Sequence, residues 1–63
     1  MNWIKASELL PDDGVNVLVS LPAAKQPVWI AHRHEGRWYF ERGVPVTFAI
    51  NAWMPLPEPF QGE

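Results

Sequence analysis

The chain has 63 residues, 48% of them hydrophobic, with no cysteine and a formal net charge of −2. That length fits one domain over residues 1–63, and the missing cysteines exclude disulfide staples and thiolate metal sites. The mild charge excludes an overall field able to steer nucleic acid, and no apolar run nears the ~20 residues of a membrane span.

Asn2-Trp3-Ile4 opens the chain, and Ala6-Ser7-Glu8-Leu9-Leu10 follows. Ser7 suits an N-cap and Pro11 stops a helix by about Leu9, so one short helical turn is expected. Trp3, Ile4, Leu9 and Leu10 are its expected anchors to the core. Pro11-Asp12-Asp13-Gly14 is turn chemistry, with the glycine supplying positive φ before a strand. Val15 to Leu21 alternates with period two: Val15, Val17, Val19 and Leu21 share one face, and Asn16 and Ser20 flank Leu18 on the other. Pro22 to Pro27 reads as an exposed connection.

Val28–His34 and Arg37–Arg42 form a hairpin about the two-residue loop Glu35-Gly36. In the simple register His34 opposes Arg37, Arg33 opposes Trp38, His32 opposes Tyr39 and Ala31 opposes Phe40. One face then carries Trp29, Ala31, Arg33, Trp38 and Phe40, and is assigned to the core. The other carries Val28, Ile30, His32, His34, Arg37 and Tyr39. A slip of one residue would exchange the two. Gly43-Val44-Pro45 turns the chain into a last strand, Val46–Trp53. Pro55, Pro57 and Pro59 then make an extended, proline-rich strap, since each fixes φ and restricts its predecessor. The expected fold is α+β, mainly β: a three- to four-stranded antiparallel meander with one short N-terminal helical turn and a C-terminal strap. Whether the last strand lies beside the first or beside the hairpin stays open.

Three pieces carry a resemblance: Trp3-Ile4, then Leu10-Pro11-Asp12-Asp13-Gly14 running into Val17-Leu18-Val19, and finally Trp53-Met54-Pro55-Leu56-Pro57-Glu58-Pro59. In order and spacing the chain resembles the DUF551 family over nearly its whole length. That resemblance implies a small domain of phage or prophage origin with no assigned activity. Relatives often carry Thr-His before the closing Trp-Met-Pro-Leu-Pro, where this chain has Asn51-Ala52.

The residues point away from catalysis. Asp12 and Asp13 sit in a turn, Ser7 and Ser20 lack a histidine arrangement, and the glycines are isolated. A body this small leaves little room for a pocket. His32 and His34 share a strand face, yet a stable metal site needs further ligands, and only Glu35 and Glu41 are near. No cofactor, metal or catalytic residue is therefore expected. Arg33, Arg37 and Arg42 among aromatic residues have the composition of a nucleic-acid platform, but the basic footprint is small and Arg33 can stack on Trp38 instead. The strap could dock in another protein's aromatic groove, although packing on the chain's own tryptophans is the simpler reading.

The hairpin is apolar or aromatic on both sides, and so small a sheet cannot hide both. The face of Val28, Ile30, His32, His34, Arg37 and Tyr39 is accordingly the expected contact surface for a protein partner or for a second copy of the chain. A non-catalytic, cytoplasmic, phage-type protein is expected to act there, as a modulator or inhibitor of a host or defence complex in the manner of an anti-CRISPR. The alternative is a nucleic-acid-binding accessory module.

Overall fold

The computed structural model describes residues 2–57 and 59. Its strands are β1 (Ile4–Lys5), β2 (Val17–Ser20), β3 (Val28–His34), β4 (Arg37–Phe40) and β5 (Ala52–Pro55). All pair antiparallel in a single sheet of order β1-β5-β2-β3-β4. The fold is mainly β, with five strands where three or four were expected. The middle run β2-β3-β4 is a meander, but β5 breaks that pattern by entering between β1 and β2.

The hairpin register is the expected one. Ala31 faces Phe40, His32 faces Tyr39, Arg33 faces Trp38 and His34 faces Arg37. Glu35 and Gly36 both take positive φ, 49° and 83°, as a type I′ loop requires. The Pro-Asp-Asp-Gly turn braces this loop from outside. Gly14 N–H donates to the Arg33 carbonyl at 2.9 Å, and the Asp13 carboxylate accepts from Glu35 N–H at 3.1 Å. Asp13 therefore has a structural post.

One face of the sheet holds the core, made by Val17, Val19, Leu21, Ala31 and Trp53, all nearly inaccessible. Ile4, Ala6, Ala24, Trp38, Phe40, Val46 and Ile50 pack against it. Sheet order explains how the core is roofed. The chain leaves β4 at one edge and must re-enter beyond β2, so it crosses the face. It passes through a short 3₁₀ turn at Glu41–Gly43, after which Pro45 bridges Tyr39 and Val46 N–H bonds the Trp38 carbonyl at 3.1 Å. At the far end Asn51 N–H donates to the Ser20 carbonyl, and Ala6 N–H to that of Asn51. Val46 and Ile50 point into the core from this crossing segment. The last strand is thus Ala52–Pro55, not Val46–Trp53.

Two further expectations are corrected. No α-helix forms near the start: Ile4 and Lys5 are drawn into the sheet by β5, and residues 6–8 make only a turn, in which Glu8 and Leu9 N–H reach the Lys5 carbonyl. Of the four expected anchors only Ile4 packs on the core; Trp3, Leu9 and Leu10 are 44%, 59% and 44% exposed. Leu9 contributes through its backbone, its carbonyl accepting the Trp53 indole N–H at 2.8 Å. The strap begins inside β5, where Pro55 pairs with Val17. Leu56, Pro57 and Pro59 are exposed, and Glu58 and residues 60–63 lie outside the described residues. Among the described residues, a strap running on beyond β5 is not established. Val15 is also exposed, held in the preceding turn by its bond to the Asp12 carbonyl. Among the described residues no helix is long and apolar enough to cross a membrane.

Candidate functional site

The face opposite the core is built by the alternate residues of four strands. On β3 these are Val28, Ile30, His32 and His34, and on β4 Arg37 and Tyr39, so all six predicted contact residues share one side. His34 and Arg37 are exposed, Val28 is partly so, and Ile30, His32 and Tyr39 are half-buried. Register brings three rings together: His32 and Tyr39 stack at 6.1 Å between centroids, and His34 meets the same Tyr39 edge-on at 6.4 Å. His34 Nε2 lies 3.8 Å from a Glu35 carboxylate oxygen. Among the described residues no three metal-ligating side chains converge.

The same side extends further than the hairpin. Leu18 on β2 sits opposite Ile30 and opposite Met54 of β5. An apolar row therefore crosses three strands, and Met54 in it is 7% exposed. Trp3 lies one residue beyond the Ile4–Trp53 pair, at the end of that row. Leu18, Met54 and Trp3 escape sequence reasoning because they join the hairpin only through the strand order. The flanking of Leu18 by Asn16 and Ser20 was the one local signal for its side.

The core-bearing face carries a second feature, which corrects the expectation that a small body has no room for a pocket. Beside the Pro22–Pro27 connection a pocket of about 460 Å³ opens to solvent, within the ~300–1,000 Å³ range of small-molecule sites. Trp29, Phe40, Phe48 and Leu21 line it, together with Ala24, Lys25 and Gln26 of that connection. Almost all of its surface is apolar. Trp29, assigned to the core, instead stands 48% exposed in this pocket, and Phe48 of the crossing segment is 45% exposed. The crossing segment accounts for it: Val46 and Ile50 turn inward, leaving Phe48 over a part of the sheet that no other described residue fills.

Arg33 is already engaged. Its guanidinium carbon lies 5.2 Å from the centre of the Trp38 ring, a cation–π distance.

No curated protein and no solved structure matches the chain. The family model described as "Protein of unknown function (DUF551)" matches residues 2–61, which take in all five strands, the bracing turn, the crossing segment and both faces. This chain therefore belongs to the DUF551 family.

Proposed function

We propose that this is a small, non-catalytic, phage-type protein of the bacterial cytoplasm that acts by binding another protein, as a modulator or inhibitor of a host or defence complex in the manner of an anti-CRISPR. The observation that carries the proposal is the sheet face opposite the core. It joins the half-buried Ile30 and Leu18 to a His32–Tyr39–His34 ring cluster rimmed by Arg37. Apolar centre and Tyr/Arg rim are the composition of an interface hot spot. The apolar wall of the pocket supports a binding role over a catalytic one, since chemistry needs convergent polar groups. Arg33 stacked on Trp38 weakens the nucleic-acid alternative, which needs guanidinium groups turned to phosphate.

The test is a differential capture. Wild type and the double variant Tyr39→Ala/Arg37→Ala are immobilised, with folding of both checked by circular dichroism. One host protein enriched by wild type and lost by at least ten-fold in the variant supports the face; equal enrichment by both removes it. Sedimentation of the free protein addresses pairing with a second copy.

A further inference from the structure

A second site lies on the other side of the sheet, and its chemistry differs from that of the proposed contact face. We infer that the pocket between the Pro22–Pro27 connection and the crossing segment binds a small, flat aromatic carboxylate. Three observations converge on that class of ligand. The walls present the rings of Trp29, Phe40 and Phe48, so the matching body is an aromatic ring system, which gains offset or edge-on ring contacts beyond plain burial. The wall offers almost no polar atom, so a ligand buried there keeps its polar groups out of the depths; any placed inside would lose water without finding a partner. The single charged residue of the described lining is Lys25, itself exposed, and no carboxylate among the described residues shares the lining with it. An anion at the outer end of the ligand is thereby favoured over a cation or a neutral polyol.

The construction of the site is local. Trp29 pairs with Val19 in the β2–β3 ladder, and Leu21 N–H bonds the Pro27 carbonyl at 2.8 Å. Ala24 N–H bonds the Leu21 carbonyl at 3.0 Å, holding the Lys25 segment beside the pocket. These bonds fix the floor and one side. Phe48 enters from the crossing segment as the opposite side. A volume of about 460 Å³ takes a fused two-ring acid with space left over. Ligands of this size have limited affinity in a pocket open on one side, so binding in the range of tens to hundreds of micromolar is expected, about −5 to −6 kcal/mol.

The probe pair is 2-naphthoate and its uncharged analogue 2-naphthalenemethanol, titrated into ¹⁵N-labelled full-length protein and followed by amide and indole N–H shifts. Saturable shifts should fall on Ala24, Lys25, Phe48 and the Trp29 indole. Phe48→Ser should weaken both probes by five-fold or more. Lys25→Gln should weaken naphthoate by about two- to five-fold, the size of an exposed ion pair, and leave the alcohol unchanged. Both side chains are solvent-accessible, and unchanged spectra away from the pocket verify that each variant stays folded. The proposal is overturned by shifts that do not saturate at millimolar probe, by shifts centred on Tyr39 and His32 instead, or by equal loss of both probes in Lys25→Gln. Since the probes report on the opposite side of the sheet from Tyr39 and Arg37, a negative result here leaves the protein-binding face standing, and the reverse also holds.

Discussion

Glu35 occupies a backbone conformation that its side chain does not favour. At φ 49° it stands in the left-handed region, followed by Gly36 at 83°, and asparagine is the residue most at ease in the first of these positions. Glu35→Asn should therefore stabilise the protein by about 0.5 kcal/mol, raising Tm by some 2–4 °C in a scanning calorimeter. Gly36→Ala should do the opposite, by about 1 kcal/mol. An added Cβ there meets nothing within 4 Å, so the loss is one of backbone conformation and not of crowding. Asp13→Ala should cost about 0.5–1 kcal/mol in urea unfolding, because it deletes one exposed hydrogen bond to the Glu35 amide. The two-residue loop was legible in Glu-Gly, and with it the whole register from Ala31–Phe40 to His34–Arg37. The bond from Asp13 was not, since 22 residues separate the partners and local turn chemistry says nothing about what a turn leans on.

Among the strands, β5 is the one that buries a large side chain on each face. It is paired on both sides, and Trp53 and Met54, pointing to opposite faces, are each 7% exposed. Trp53→Phe keeps one aromatic ring but removes the donor to the Leu9 carbonyl and part of the core volume, for an expected loss of about 1–3 kcal/mol. Trp53→Ala removes the largest core side chain and should cost about 3–5 kcal/mol. For a chain of this length the total is only about 3–9 kcal/mol, so that variant should be largely unfolded by near-ultraviolet circular dichroism at 25 °C. Alternation in the sequence correctly sorted Val17, Val19 and Leu21 from Leu18. It also misled: Val46, Phe48 and Ile50 alternate like a strand, yet only the start of the segment pairs, through the Tyr39–Pro45 bridge, and the chain bends at Phe48 as it crosses the core. Period two reports which side a residue faces in any extended chain, and does not report hydrogen-bond neighbours. Strand order depended on the crossing, which no local pattern encodes.

Taken whole, the molecule is thin, 38 × 25 × 21 Å, one sheet with one covering segment. Such a body covers the core face, and on the other it buries Ala52 and Met54 of β5 while the hairpin side stays half-open. The contact residues on the other face were legible because the hairpin fixed their side, while their extension through Leu18, Met54 and Trp3 became visible only once β5 was placed. Substitutions at Tyr39 and Arg37 should accordingly be cheap: Tm of the double variant is expected within about 4 °C of wild type, as for other half-exposed positions, in contrast with any change at Val19 or Trp53.

The place of β5 in the sheet also bears on how the protein comes into being. Residues 52–55 must slot between segments made some thirty and nearly fifty positions earlier, so a chain halted before Ala52 owns the β2-β3-β4 meander but not the strand that joins β1 to it. Maturation should thus be late: a chain truncated before Ala52 should stay sensitive to limited proteolysis, whereas the chain that includes β5 resists it.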